Sequence, residues 1–263
     1  MKHGNIKASW RMGVIGLGIL LTGAACAVEG YMLEEQTQTS VLGKPSSTVT
    51  RTYSSTLGIR VENKDSVTLI AISNDKTNKN QIAFYQLDPA HKTYMHHANS
   101  TVMLMLYFSA LAECDAKTCH LKPDLFTDLK QKELINGYMT QKMRIQPGGL
   151  ITGASAEAWC TKDWKLLNEA VRSRWLLTAA ALESSGNALG LDLVSLRRVI
   201  DELLASYGTA IKTVTVFSKQ LSGVTTVTQV TKTNLEDAMF SVPIDYKEKP
   251  SFWPAGPTMP ARP

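Results

Sequence analysis

The feature that most constrains this chain is a stripe of residues at steps of three and four. Trp164, Leu167, Val171, Trp175, Thr178 and Leu182 recur from a start near Asp163, which fits one face of an amphipathic helix and no strand. Ser184-Ser185-Gly186-Asn187 interrupts the stripe, and Leu193, Leu196, Ile200 and Leu203 mark a second helix that ends before Gly208. Arg197, Arg198, Asp201 and Glu202 form its solvated face.

On both sides of this helical pair the period changes to that of strands. Residues 31–60 are rich in Thr and Ser with interspersed Val, Tyr and Leu, which suits strands bounded by loops. Val67 to Ile72 and Gln81 to Leu87 are short β-branched and aromatic runs separated by a polar loop at residues 74–80, and a further strand covers Lys92 to His96. Glu133 to Ile145 and Leu150 to Thr161 read as strands, separated by Pro147-Gly148-Gly149. In the second of these, Ala154, Ala156, Ala158 and Cys160 share one face, so that face must be closely packed. Ile211 to Phe217 and Val224 to Thr233 read as a hairpin. A helix is expected from Thr101 to Glu113, with Ser100 as its cap and an unbroken apolar run at residues 102–108, followed by a polar connection of some helical character at residues 121–132. The composite is a β-rich α+β domain.

The first residues have the form of an export signal. Lys2, Lys7 and Arg11 precede an apolar run from Met12 to Ala25, which is shorter than the roughly 20 residues of a stable membrane anchor. Three routes stay open: cleavage after Ala27, lipidation of Cys26 within Gly23-Ala24-Ala25-Cys26, where Gly23 stands at the position Leu usually holds, and retention as an uncleaved anchor. The expected organisation is a signal at 1–27, one domain at 28–248, and a Pro-rich flexible tail at 249–263 whose Phe252 and Trp253 precede Pro254. The 263-residue chain has 44% hydrophobic and 19% charged residues, so it folds around a core. Its net charge of +5 overstates its attraction for anions. Removing the signal leaves 25 basic residues against 23 acidic, scattered along the chain, which argues against a nucleic-acid surface.

Cys114 and Cys119 are close enough in sequence to close a short loop, and an oxidising compartment favours their disulfide. With His120 they supply too few ligands for a structural zinc site, and Cys160 reads as a small buried apolar residue.

Three stretches resemble a family of secreted bacterial proteins of unknown function. Residues 135–142, with Gly137, Tyr138 and Lys142, match its "GY-x-polar-x-K" strand. Glu157, Trp159 and Thr161 match its "E-x-W-x-T" strand, and Thr228 to Lys232 with Phe240, Val242, Pro243 and Tyr246 match its closing pattern. The family is similar to the periplasmic lipoprotein-carrier fold. The resemblance, over residues 55–246, implies a curved, incomplete antiparallel β-barrel wrapped around or covered by helices, over an apolar cavity. The chain departs from the family in its larger helical insertions and in Cys160, which replaces what is commonly an aromatic residue.

No nucleophile elbow, phosphate loop, dinucleotide fingerprint or HExxH run occurs, and no cofactor is expected. His91, His96, His97 and His120 read as solvated or capping residues, and Asp163, Glu169 and Glu183 as a solvated helix face with no inward carboxylate pair. Met103, Met105, Leu106 and Phe108, with Trp175 and Leu176, are the candidate lining for an apolar ligand, because methionine adapts to varied apolar shapes. The same Met-rich run also suits plain core packing. The expectation is a non-enzymatic envelope protein that binds a lipid or lipoprotein acyl chain. The alternative is an envelope interaction module with a self-filled core and a protein partner. Membrane association is expected only through a lipidated Cys26 or an uncleaved signal.

Overall fold

The computed structural model describes residues 27–72, 82–97, 112–114, 118–122, 124–145, 155–184, 193–218 and 221–250. The expected export signal up to Cys26, the Met-rich run at 101–111, the loop at 74–80 and the tail from 251 lie outside these residues.

Twelve strands form one sheet. In chain order they include β1 (Ala27–Val41), β2 (Lys44–Ser55), β3 (Gly58–Glu62), β4 (Val67–Ile72), β5 (Ile82–Asp88) and β6 (Thr93–His96). A separate two-stranded hairpin follows, β7 (Ala112–Cys114) and β8 (Cys119–Leu121). The main sheet resumes with β9 (Phe126–Ile135), β10 (Tyr138–Ile145) and β11 (Ser155–Thr161). Helices α1 (Lys165–Ser184) and α2 (Leu193–Tyr207) come next, then β12 (Thr209–Ser218), β13 (Leu221–Glu236), a 3-10 turn (Asp237–Phe240) and β14 (Lys247–Glu248). The order across the sheet is β14-β6-β5-β4-β3-β2-β1-β13-β12-β11-β10-β9, so its two ends do not pair with each other and the sheet is open. It is antiparallel apart from the short β14–β6 contact. This is the curved, incomplete barrel with helices that the resemblance implied.

Curvature shows in what the β9–β10 turn touches. Asn136 and Gly137 both have positive φ, 51° and 80°, the requirement of a type I′ turn. The Asn136 side chain then donates from Nδ2 to the carbonyl of Val227, three strands away in β13, at 2.7 Å. Tyr138, next to the turn, stacks on Trp164 at the start of α1, with ring centroids 4.7 Å apart. The edge hairpin therefore curls inward over the face that carries the helices.

On that inner face, Leu33, Ile211 and Val227 of the sheet bury Leu167 and Val171 of α1, and Trp164, Trp175 and Val230 complete the cluster. Of the buried positions of α1, Leu167, Val171 and Thr178 fall on the expected stripe, and Ala170 and Ala179 widen it. Helix α2 packs on α1 through Leu196 and Ile200 against the small Ala179, and its other side is covered by the β7–β8 hairpin, where Val199 meets Ala112, Cys119 and Leu121. Gly208 ends α2 with φ +74° and donates its N–H to the Leu204 carbonyl at 2.9 Å. A Cβ there would also collide with the carbonyl of Thr161, so glycine is required twice over. The opposite face is packed by the C-terminal segment. Phe240 enters a cluster with Val67, Leu69, Leu87 and Leu235, and Arg60 donates to the Met239 carbonyl at 3.0 Å. The same segment then lies along β6, which covers that edge of the sheet.

Three sequence expectations are corrected. Ala112 and Glu113, taken as the end of a helix, belong to strand β7, because they pair with Leu121 and His120. Residues 121–132 are not helical: β8 ends at Leu121, and Phe126 onward forms the edge strand β9 paired to β10. Glu133 to Ile145 is not one strand, because Asn136-Gly137 folds it into a hairpin.

Candidate functional site

Helix α1 crosses β1 with one flank unfilled. Residues 169, 172, 173 and 176 lie at helical steps of three and four, so they share a flank, and that flank faces Tyr31 of β1. Between them is an open depression of about 350 Å³, lined by Tyr31, Glu169, Arg172, Ser173, Leu176 and Leu177. The leucines form an apolar floor beside the Tyr31 ring.

One charge of its rim is already paired. Burial, together with the nearby Glu169 carboxylate, pushes the Tyr31 phenol above its ordinary value. Arg172 forms a bidentate pair with Asp201 of α2, Nε to Oδ1 at 2.7 Å and the second nitrogen to Oδ2 at 3.1 Å, which ties the helices together across the rim. Ser173 and Tyr31 bring hydroxyls and Glu169 a carboxylate to the lining, and no histidine is among the described lining residues. Leu176 and Leu177 give the depression apolar surface.

The structure places the sequence candidates unevenly. Leu176 lines the depression. Trp175, its neighbour, turns into the core, where it bridges the cluster around Leu167 and the one around Ala179. Met103, Met105, Leu106 and Phe108 lie outside the described residues. Tyr31 and Arg172 carried no sequence signal. Tyr31 sits in a Thr-rich strand, and Arg172 becomes part of the site only through its partner on the second helix.

Lys142 and Trp159 of the family-like strands meet elsewhere, on the opposite face of β10, β11 and β12. Lys142 pairs in register with Trp159, and Trp159 with Lys212. Both ammonium groups lie over the indole, at 4.9 Å and 4.5 Å from the ring. Lys142 also reaches Glu157 at 2.8 Å. Trp159 is only 8% exposed, with the two lysine side chains across its ring. Thr161 donates to the Met139 carbonyl at 3.0 Å and accepts from the Asp163 N–H at 3.2 Å, which shapes the entry to α1. These motifs build the sheet and do not touch the depression.

Cys160 is a free thiol packed with Met143 and Ala158, and burial pushes its pKa up to about 12, so it is protonated and inert. Cys119 is buried, and Cys114 stands directly opposite it in the β7–β8 register. His91 pairs with Asp88 at 2.7 Å on the surface, where this hydrogen bond holds the Asp88 carboxyl below its usual range. His96 packs on Tyr85, and His120 is exposed. Among the described residues, no group of three His, Cys, Asp or Glu side chains is placed to hold a metal ion, and no helix is long and apolar enough to cross a membrane.

No protein-family model matches the chain. An uncharacterized protein of Aquifex aeolicus is 21% identical over 250 residues, spanning 92% of this chain and 90% of that protein. Among solved structures, PNGF-II is 17% identical over 85% of this chain, with a TM-score of 0.36, and the chain spans 31% of that larger protein. A putative outer membrane lipoprotein-sorting protein domain from Vibrio parahaemolyticus is 11% identical over 80% of this chain and 88% of that one, with a TM-score of 0.31. A LolA superfamily protein from Nitrosomonas europaea is 8% identical over 81% of this chain and 90% of that one, with a TM-score of 0.28. Lipoprotein-carrier-like proteins are thus among the structures to which this chain is similar.

Proposed function

We propose that the protein is a non-enzymatic envelope protein, exported to the periplasm or the outer membrane, that holds an apolar chain beside helix α1. The observation that carries this reading is the depression between α1 and β1, with Leu176 and Leu177 in its lining and Arg172 of its rim already paired with Asp201. Its volume of about 350 Å³ is near the lower end of the range for small-ligand sites, about 300–1,000 Å³. A lipid or lipoprotein acyl chain fits an apolar floor, since its binding comes from area removed from water, at about 25 cal/mol per Å². In this reading Met103, Met105, Leu106 and Phe108 extend the lining, Cys26 is a site of lipidation if it is retained, and Cys114 and Cys119 form a disulfide. Residues directly opposed in an antiparallel pair have Cα atoms about 4.5–5.5 Å apart, within the range a disulfide spans, which supports that pairing.

The test is mass spectrometry of an organic extract of the chain, expressed with its signal in a Gram-negative host and purified without detergent. A stoichiometric acyl species is expected, and it should be lost in Leu176→Glu and in Met105→Glu variants that keep the native circular dichroism spectrum. An empty, stable protein would overturn the proposal in favour of a second reading, an envelope interaction module with a self-filled core. The inward packing of Trp175 into two clusters favours that alternative, and crosslinking in the envelope would then search for its partner.

A further inference from the structure

The β1–β2 and β12–β13 hairpins are neighbours in the sheet, and their free ends coincide, since Val41 at the end of β1 pairs in register with Leu221 at the start of β13. This shared end is apolar and open. Val41, Phe217 and Leu221 are exposed there, and Leu42 at the tip is 69% exposed. The β1–β2 connection is a two-residue turn with positive φ at both positions, 52° at Leu42 and 77° at Gly43. Such a type I′ turn favours Asn, Asp or Gly at its first position, and a leucine there is strained through its Cβ. Leu42 is therefore explained neither by packing nor by turn geometry.

Charge at this end is one-sided. Residues 36–50 and 213–228 contain lysines, Lys44 and Lys219, and no carboxylate. The nearest acidic residues below are Glu35 and Glu34, and Glu34 is paired with Arg51 at 2.8 Å. A cationic end tipped with exposed aliphatic and aromatic side chains complements an anionic lipid surface, where apolar groups enter the acyl boundary and lysines stay among the head groups. A few side chains at the ends of two hairpins fall short of the roughly 800 Å² per partner that a stable protein interface needs.

We propose that the paired tips of these hairpins are a docking apex for an anionic bilayer, with Leu42 and Phe217 entering the lipid beside Lys44. The contact needs neither an acyl anchor on Cys26 nor a ligand at α1, so it stands apart from the reading above. Its test is cosedimentation with vesicles of phosphatidylglycerol and phosphatidylcholine, using the soluble chain with Cys26→Ser throughout so that no acyl anchor masks the result. Binding is expected to weaken with added salt and to fall about tenfold in a Leu42→Asn/Phe217→Ser variant, as apolar insertion and electrostatic attraction both contribute. Leu42→Asn alone should leave the melting temperature equal or higher, because Asn accepts positive φ. Ile244→Ser removes a still more exposed side chain, 103% accessible, from the C-terminal segment beside β6, and should leave binding unchanged. Failure of the starting chain to bind the anionic vesicles would overturn the proposal, as would a double variant that binds within about twofold of it, well short of the loss expected for removing inserted apolar groups. So would loss of concentration-dependent self-association in that variant without loss of vesicle binding, which would make the apex a contact between copies.

Discussion

The four central strands, β2, β1, β13 and β12, run through two regions that share one hydrogen-bonded ladder and differ in everything else. At their base the inner face is Leu33, Ile211 and Val227, packed under α1. A few residues toward the tips the same face becomes Thr37, Thr213 and Thr225, which stand in register with one another and with Thr48. The contrast separates two contributions to a sheet. In the base, burial of leucine, isoleucine and valine stabilises the fold. Toward the tips, β-branched threonines favour the extended backbone and pair across strands, and no core cluster is built on them.

The largest break in this comparison comes from the base. Leu167 is 0% exposed between α1 and the sheet, and Leu167→Ala removes its transfer energy and leaves a cavity, with an expected loss of about 3 kcal/mol in urea unfolding. A loss below about 1 kcal/mol would mean that α1 is not part of the cooperative core.

The next effect depends on pH. Cys160 is held neutral in the fold with its pKa raised from 9.0 to about 12, while in the unfolded chain it ionises at its ordinary value. The unfolded state therefore binds fewer protons above pH 9, and stability falls as pH rises from there toward about 12, by about 1.4 kcal/mol per pH unit from this group. Cys160→Ala should flatten that alkaline slope relative to the parent. An unchanged slope, or rapid labelling of the native thiol at pH 8, would show that the site is open to water.

Asn136→Gly is expected to cost about 1 kcal/mol, because glycine keeps the type I′ turn and only the hydrogen bond to Val227 is lost. Equilibrium unfolding of the two proteins measures it. An unchanged stability would mean that the inward curl of the edge hairpin rests on Tyr138 and Trp164 alone.

The parts of this architecture that were legible in the sequence are those in which local period and tertiary demand agree. The stripe packs toward the core along α1 through Leu167, Val171, Trp175 and Thr178, and Gly208 ends α2 because its left-handed φ and the close approach of Thr161 both exclude a side chain. The β12–β13 hairpin was read from its dense Val and Thr. Strand β9 was missed for a physical reason: it is a polar edge strand, and its ladder shifts register near Lys130, whose φ is 57°, so no alternation survives to be read. The Asn136-Gly137 turn did carry a local signal, hidden within a segment treated as continuous. The depression was only half legible. Leu176 follows from helical spacing, whereas Tyr31, Asp201 and the pairing of Arg172 arise from contacts between distant segments, which no local pattern records.

The smallest expected effect sharpens the comparison most. Thr37 and Thr225 have their hydroxyl oxygens 3.0 Å apart across β1 and β13, at a half-buried position where water competes for each hydroxyl. Thr225→Ala exchanges that bond and one β-branched side chain for a methyl group, so a loss of about 0.5 kcal/mol is expected, the scale of a single cross-strand pair. Val227→Ala, one position further in on the same face of the same strand, removes a side chain buried with Leu33 and Val171 and should cost about 2–3 kcal/mol. The ratio of these two losses in urea unfolding measures how sharply packing ends along β13. Similar losses would mean that the threonine rows are as firmly buried as the base. A packed base beneath a thinly packed apex would then no longer describe the sheet, and the exposed tips beyond Thr225 would be the ends of a continuous core.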